Sequence, residues 1–463
     1  MAPKFGTSGL RGLVSELTDD LVAAHIRAYL AACETGGTIC LGRDLRPSSP
    51  RIASAVATAA QAVGVHVIDC GEIATPALAL AAGRANAGAV MITGSHIPAD
   101  RNGLKFYVQG GGEITKTDEA EILSCLGQAA PTVAQSGTAS SDPEATDRFV
   151  ARSLEAFGAD ALSGCYIGIY EHSAVGRDAL GRILRGLGAD VIPLGRSETF
   201  IPVDTEAVDP QIAAQIRTWV TEHGLDALVS TDGDSDRPLL ADETGRIVPG
   251  DVMGQITAEY LQADVVVTPI SSNSGVVQKG FAEVRRTRIG SPFVIAGMAG
   301  AARAVGYEAN GGFLLGFAAQ GPAGPLDPLL TRDCVLPLVA VLVAARGGPV
   351  SARVAKEPAI FTQADRLQEV PTEASRSLVD TLSQSAQARH AFLAPLGVTQ
   401  TSAPDLTDGL RLPLDGDRTL HIRPSGNAPE LRLYVEANTP DAASSLLASG
   451  LAQLRKTLNG SQA

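Results

Sequence analysis

Thr38-Ile39-Cys40-Leu41-Gly42 is a short apolar run, and Ile52–Val63 after it carries apolar side chains at helical spacing before Gly64 and a second run, Val65–Asp69. A buried strand, an apolar-striped helix, a glycine stop and another strand are the parts of a βαβ unit. The pattern recurs. Tyr166–Tyr170 leads through Ala179–Leu187 to Gly188 and Ala189–Leu194. A less regular third copy starts at Asp264–Ile270 and includes a helix, Ala296–Ala304, ended by Gly306 before Tyr307. Strand–helix alternation implies parallel pairing with right-handed crossovers. The fold class is therefore α/β, with three related units of ~100–120 residues and mostly parallel, mixed sheets.

Beyond Gly347–Pro371, a mixed and weakly periodic connector, the grammar changes. Leu410–Val435 reads as antiparallel strands flanked by helices at Ala374–Gln387 and Ala442–Leu454, a C-terminal α+β domain. Gln128–Thr146, rich in Ala, Ser, Pro and Thr, reads as another connector, and a boundary falls near Pro249-Gly250. Length alone predicts about three domains. The pattern gives four, at 1–140, 141–248, 249–362 and 363–463, arranged around a central cleft.

A net charge of −13 without an offsetting basic block excludes a nucleic-acid partner. No apolar run approaches the ~20 residues of a membrane span; Val335–Ala345 is the longest and is too short. The N-terminus has no secretory h-region. Six cysteines without a CxxC pair read as reduced core residues. The expectation is a cytoplasmic monomer or homodimer with no membrane partner.

The chemistry starts at Ser230-Thr231-Asp232-Gly233-Asp234-Ser235-Asp236-Arg237. In an extended segment alternate side chains share a face, so Asp232, Asp234 and Asp236 converge. Clustered carboxylates suit a hard cation such as magnesium. The buried strand Asp226–Val229 places them at a strand end, where open α/β sheets hold their sites. A solvated acidic turn is one alternative. An EF-hand loop is another, with Glu243 at its twelfth position, but Arg237 occupies the sixth, which needs glycine. Asp415-Gly416-Asp417, between two strand-like runs, is an internal control and reads as a hairpin turn.

Three other loops carry polar groups. Thr93-Gly94-Ser95-His96-Ile97-Pro98 displays Ser95 at a strand end beside His96, although serine needs activation to attack. It is not a GxSxG elbow, and a plain turn is the alternative. Arg423-Pro424-Ser425-Gly426-Asn427-Ala428-Pro429-Glu430 combines a cation, a hydroxyl and an amide around a glycine, as a phosphate cradle or an ordinary hairpin loop would. Gly306–Gly312 carries Glu308 and Asn310, suited to sugar hydroxyls or to a surface. Phe5–Gly12 is glycine-rich, with Arg11, but lacks a Walker-type Lys-Ser/Thr. A displayed serine, a cation site, a sugar loop and an anion cradle complement one another.

The order of these motifs resembles the α-D-phosphohexomutases of the phosphomannomutase/phosphoglucomutase type over essentially the whole chain. Thr93–Pro98 is similar to the phosphoserine loop T-A-S-H-N-P, followed by Asn102-Gly103-Leu104-Lys105 for N-G-[FL]-K. Asp232–Arg237 matches D-G-D-x-D-R, Phe5–Gly12 matches F-G-T-x-G-x-R-G, and Arg286-Thr287-Arg288-Ile289-Gly290 resembles R-T-K-V-G. Arg423–Gly426 and Pro429 match the ends of R-P-S-G-T-E-P. Three departures stand out: Ile97 for asparagine, Asn427-Ala428 for Thr-Glu, and Glu308-Ala309-Asn310-Gly311-Gly312 for G-E-x-S-G-H, which loses its histidine. Similar forms of these last two loops occur in some phosphomannomutases.

The resemblance implies a phosphohexomutase that moves a phosphoryl group between C1 and C6 of a hexose phosphate, mannose favoured. A phosphorylated Ser95 and a hexose 1,6-bisphosphate, also the activator, are the implied intermediates. It implies Mg2+ on Asp232, Asp234, Asp236 and a phosphoserine oxygen from Ser95. Arg11 and Arg237 would sit near the transferring group, with His96 or Lys105 as base. Arg423, Ser425, Gly426 and Asn427 would hold the idle phosphate, Arg288 would bind substrate, and Glu308 and Asn310 would grip hydroxyls. Glucose or glucosamine phosphate as substrate, a sugar-phosphate phosphatase and a non-catalytic sugar-phosphate-binding regulator are the alternatives.

Overall fold

Three sheets in the first part of the chain share one plan, and the plan places the polar loops. The computed structural model describes residues 3–6, 8–129, 133–425 and 429–460. The chain divides into two compact units, Met1–Val267 with Gly290–Lys356, and Thr268–Ile289 with Glu357–Ala463.

In the first unit, the largest sheet has parallel strands Ala139–Ser141, His66–Glu72, Thr38–Arg43 and Gly88–Ile92, continued by antiparallel Arg101–Tyr107, Leu10–Leu13 and Lys4–Phe5. The second aligns Asp190–Leu194, Tyr166–Tyr170 and Ala227–Thr231 in parallel, then Pro238–Asp242 and Ile247–Val248 antiparallel. In the third, Val265–Val267 pairs in parallel with Ala304–Tyr307, and Phe313–Leu315 and Leu329–Asp333 follow antiparallel. In each sheet one connection joins the last parallel strand to its antiparallel neighbour. Those connections, 93–100, 232–237 and 308–312, carry Ser95, the three aspartates, and Glu308 with Asn310. The third copy, the least regular in sequence, follows the same rule.

The helices bury the expected stripes. Val22, Ile26 and Tyr29 of Asp19–Ala32 and Ile52, Val56 and Ala59 of Ser49–Ala62 pack with Ile39, Leu41, Val90 and Ile92 of the first sheet. Each fully buried Ile or Val removes enough apolar surface for about 1.5–3 kcal/mol.

The second unit is built on a four-stranded antiparallel sheet ordered Phe361–Gln368, Glu430–Ala437, Arg418–Pro424 and Leu410–Leu414. Leu410, Leu412 and Leu414 alternate inward and pack with Leu378, Leu446 and Leu454 of the helices. The segment 268–289 joins this unit through Asn273 Nδ2 donating to Ile360 O (2.8 Å), Ser274 N donating to Glu436 Oε1 (2.8 Å) and the Lys279–Glu357 ion pair (2.6 Å).

Several local expectations are corrected. The helix placed at Ala296–Ala304 runs Ser291–Met298, because Pro292 favours an early start and Gly300 turns the chain at φ +75°. Gly306 stops no helix: it lies inside strand Ala304–Tyr307, where a Cβ would meet Val294 Cγ1 at 2.5 Å. The connector 128–146 contributes the edge strand Ala139–Ser141, and 347–371 contains the long strand Phe361–Gln368. Ala374–Gln387 is two helices, Thr372–Gln384 and Ala386–Leu393, because extended Ser385 caps the second by accepting from Ala388 N (3.1 Å). All six cysteines are free thiols. Among the described residues no helix is long and apolar enough to cross a membrane.

Candidate active site

The strand Gly88–Ile92 is wholly buried and delivers Ser95 into a tight loop. Ser95 has a left-handed φ of +53°, unusual outside glycine and a form of strain that clusters at functional sites at roughly 1–3 kcal/mol. Its N–H donates to Thr93 Oγ1 at 2.7 Å. Buried Arg46 holds the rest of the loop. Its Nη1 donates to Pro98 O (2.7 Å) and Arg101 O (2.9 Å), and its Nη2 to Ser95 O (2.9 Å) and Ile97 O (2.6 Å). Asp44 takes its Nε at 3.2 Å. A Cβ on Gly94 would lie 2.5 Å from Arg46 Cζ, so the loop needs glycine there.

The aspartate loop is a turn, not the extended segment expected. Ser235 is left-handed (φ 56°), and Thr231 pairs with Pro238 across the loop. Asp232 Oδ1 accepts the backbone N–H groups of Asp236 (3.1 Å) and Arg237 (3.2 Å), folding the chain back. Convergence comes from this closure rather than from pleat alternation. Asp232, Asp234 and Asp236 are buried, with ligand oxygens within 4.8 Å of one another. Thr75, opening helix Thr75–Ala85, anchors the loop: its N–H donates to Asp234 O (3.0 Å) and its Oγ1 to Asp234 Oδ2 (2.7 Å). The helix dipole favours an anion there.

The two loops meet. Ser95 Oγ donates to Asp232 Oδ2 at 2.5 Å and lies 3.3 Å from His96 Nδ1. Lys105 Nζ pairs with Asp234 Oδ2 at 2.5 Å and also with Asp236 Oδ2. Among the described residues Asp234 Oδ1 and Asp236 Oδ1 are buried without a hydrogen-bond partner. Two orphaned carboxylate oxygens beside a third carboxylate are a fitting donor set for a divalent cation.

Charge tuning follows. Burial, then Asp234 and Asp236, push the Asp232 carboxyl well above its usual range. Burial works against ionised Asp234 too, but Lys105 and Thr75 hold it below the usual range. The Arg237 cation and then burial push the His96 imidazole down to about 3, so it is neutral at physiological pH. Burial brings Arg11 down to about 10, still a cation. Its Nη1 donates to Thr93 O at 2.7 Å, and Gly103 makes room, since a Cβ there would meet that nitrogen at 2.5 Å.

The loop 308–312 reaches the same cluster through Arg332, which lies 2.7 Å from Asp236 Oδ2 and 3.6 Å from Glu308 Oε2. Arg237 Nε lies 4.0 Å from Asp232 Oδ2 and 3.9 Å from Asp236 Oδ1. Glu308 and Asn310 are buried; Asn310 Oδ1 accepts Gly312 N at 3.0 Å. Burial raises Glu308, partly offset by Arg332 and Arg237. The first unit thus gathers Ser95, His96, Lys105, Arg11, Asp232, Asp234, Asp236, Arg237, Glu308 and Asn310.

Arg288, Arg423 and Ser425 belong to the second unit. Arg423 Nε is 2.9 Å from Asp408 Oδ2, which also accepts Ile289 N (3.0 Å), tying the segment after Arg288 to the strand ending at Pro424. Ser425 is buried and its N–H donates to Glu430 O (2.9 Å), while Arg288 is exposed. Gly426 and Asn427 lie outside the described residues.

Against known families, the chain matches all four parts of one. These are phosphoglucomutase/phosphomannomutase alpha/beta/alpha domain I over residues 2–131, domain II over 147–245, domain III over 249–361, and the C-terminal domain over 351–452. The chain belongs to the phosphoglucomutase/phosphomannomutase family. It is 45% identical to a phosphomannomutase of Sinorhizobium fredii over 99% of this chain and 100% of that one. A phosphomannomutase of Salmonella muenchen is 39% identical, covering 98% of this chain and 96% of its own. A solved phosphoglucomutase/phosphomannomutase family protein from Burkholderia thailandensis has the same fold, with a TM-score of 0.78 at 20% identity over 98% and 97% of the two chains. As a phosphohexomutase the chain is an enzyme, an intramolecular phosphotransferase.

Sequence reasoning missed the side chains that hold these loops in place. Arg46 and Asp44 sit in the strand–helix loop Asp44-Leu45-Arg46-Pro47, and Thr75 hides in an alanine-rich helix. Arg332 and Glu113 are buried charges beside Asp236 and Glu308. The available signal was charge: Asp44 and Arg46 follow a buried strand, and Arg332-Asp333 interrupts an otherwise apolar run, where an unpaired charge is costly.

Proposed function

We propose that this phosphohexomutase interconverts the 1- and 6-phosphates of mannose, with Mg2+ on Asp232, Asp234 and Asp236. The observation that carries the reading is Ser95 Oγ, 2.5 Å from Asp232 Oδ2 in a buried three-carboxylate cluster with two open oxygens. The identity to two phosphomannomutases supports mannose. When bound, the divalent cation supplies charge neutralisation at the transferring phosphoryl oxygens.

This chain's own residues do the rest. Phosphorylated Ser95 gives its phosphoryl group to a sugar hydroxyl: the P–O(Ser95) bond breaks and a P–O(sugar) bond forms. Neutral His96, whose Nδ1 lies 3.3 Å from Ser95 Oγ, takes the hydroxyl proton and passes it to the departing Ser95 Oγ, which leaves as a neutral hydroxyl. A phosphoryl dianion on Ser95 balances Arg237, whose charge depresses His96, and so raises the basicity of the imidazole. Lys105 stays ion-paired to Asp234 and Asp236 and serves as a fixed cation. Arg11 and Arg237 stabilise the three equatorial oxygens. The hexose 1,6-bisphosphate then returns its other phosphate to Ser95. Glu308 and Asn310 accept hydroxyl hydrogen bonds in both orientations. Arg423, Ser425, Gly426 and Asn427, with Arg288, hold the idle phosphate. The same reading keeps four domains, 1–140, 141–248, 249–362 and 363–463.

The test is a substrate panel. Mannose 1-phosphate with catalytic mannose 1,6-bisphosphate is expected to give mannose 6-phosphate by 31P NMR, faster than the glucose and glucosamine phosphates react. Faster glucose or glucosamine turnover overturns the mannose assignment. Free phosphate released in step with substrate loss would make the protein a phosphatase instead.

A further inference from the structure

Arg332 stands on strand Leu329–Asp333, only 3% exposed, and meets carboxylates from three segments. Its Nη2 lies 2.7 Å from Asp236 Oδ2 of the metal loop, and its Nη1 3.6 Å from Glu308 Oε2 of the sugar loop. Its Nε lies 3.6 Å from Glu113 Oε1. Glu113 is itself fixed, by Ser291 Oγ at 2.7 Å and Thr331 Oγ1 at 3.2 Å. The sugar loop is shaped around this arginine, since a Cβ on Gly312 would meet Arg332 Cγ and Cδ at 2.7 Å. Glu308 Oε2 is buried with no hydrogen-bond donor among the described residues, although a guanidinium nitrogen is close by.

We propose that Arg332 is a positioning residue that couples the cation loop to the sugar loop. By taking Asp236 Oδ2 it leaves Oδ1 of that carboxylate to the cation. By standing just beyond hydrogen-bond distance of Glu308 Oε2 it neutralises that carboxylate while leaving its oxygen for a sugar hydroxyl. One guanidinium is shared between two loops, so a change of charge at Glu308 redistributes it onto Asp236. A planar, permanently charged fork can serve both carboxylates, which a lysine ammonium on its shorter reach cannot. The proposal rests on the cation and sugar assignments above, but its test does not depend on turnover.

The Mn2+ dissociation constant, read by EPR, is measured for the wild type, Glu308→Gln, Arg332→Met and the double variant. Glu308→Gln releases Arg332 onto Asp236 and is expected to weaken Mn2+ binding by about threefold or more in the wild-type background and not at all in Arg332→Met, as coupled neighbours require. Equal shifts in both backgrounds overturn the proposal. Circular dichroism and thermal melting check each fold. If Arg332→Met does not fold, Arg332→Lys takes its place: it keeps a cation, and loss of the Glu308→Gln shift supports the coupling while a wild-type shift overturns it. Calorimetric titration with mannose 1-phosphate is expected to show about tenfold weaker binding for the Arg332 variant, the scale for residues that orient ligands from behind. Unchanged binding overturns the link to Glu308. Failure of the substrate panel would sink the mutase reading and leave these binding results standing.

Discussion

Two hairpins in this chain carry an Asp-Gly-Asp triplet and have opposite fates. Asp415-Gly416-Asp417 closes a three-residue loop between Leu414 and Arg418, with Gly416 and Asp417 left-handed and exposed. Asp415 pairs with Arg418 at 2.5 Å on a partly exposed surface, where such pairs contribute ~0–1 kcal/mol. The loop 232–237 also joins two antiparallel strands, yet all three of its aspartates are fully buried around a lysine. The stretch is a turn, but not the solvated one weighed against a cation site: its carboxylates are buried, and the turn is what brings them together. Surroundings, not the triplet, separate a solvated corner from a reaction centre.

The comparison is sharpened most by removing the group that only the buried hairpin faces. Ser95→Ala is expected to lower mutase kcat by about 10⁴-fold or more with an unchanged circular dichroism spectrum, because a nucleophile acts as part of a unit. A near-normal rate would remove Ser95 from the reaction. Next, Asp234→Asn is expected to weaken Mn2+ binding and lower activity by about 100-fold or more, since it withdraws a carboxylate from a hard-cation site. Chelation by EDTA should mimic it and added Mg2+ should reverse the chelation. Glu308→Gln is expected to reduce kcat/KM by roughly 10–100-fold, the scale of one charge-assisted hydrogen bond. An unaltered kcat/KM would break the sugar assignment.

Each region also holds one buried histidine, and here they should behave alike. Burial pushes His172, whose Nε2 contacts Thr231 O at 2.8 Å, down to about 4, and does the same to His421 on strand Arg418–Pro424. The unfolded chain takes up these protons as pH falls through about 6.5, while the folded chain stays neutral until about 4. Stability should therefore be flat above neutrality and fall between pH 6.5 and 4, by on the order of 1–2 kcal/mol per histidine at pH 5. Urea midpoints at pH 7 and 5 check this, and His421→Gln should reduce the difference by one histidine's share. The smallest effect belongs to the exposed hairpin: Asp415→Asn and Asp417→Asn should leave activity unchanged and stability within about 0.5 kcal/mol. A large loss in either would dissolve the contrast.

Much of the fold was legible because its signals are local. Apolar runs with period two or 3.6 marked strands and helices, and glycine or proline marked their ends. Errors fell where local and tertiary cues diverged. Ser385 is polar in a helical window yet caps a new helix, and Gly306 resembles a helix stop yet serves close packing beneath Val294. Ser95, Asp232 and Glu308 could be placed in loops at strand ends because the apolar runs before them are local signals. Arg46 and Arg332 could not be assigned, since a buried arginine reads as a surface charge until its partners are known, and the four carbonyls that Arg46 holds lie 49 to 55 residues away.

Taken alone, the sequence determined three α/β units, an antiparallel terminal domain and the loops that bear reactive groups, because hydrophobic period and turn chemistry act over a few residues. Only the tertiary structure decided that segment 268–289 packs with the C-terminal sheet and that Ser95 meets Asp232. It alone decided that one arginine serves both Asp236 and Glu308. Those outcomes depend on burial and on charges far apart in the chain, where the strength of an interaction is set by the dielectric and the partners that folding supplies.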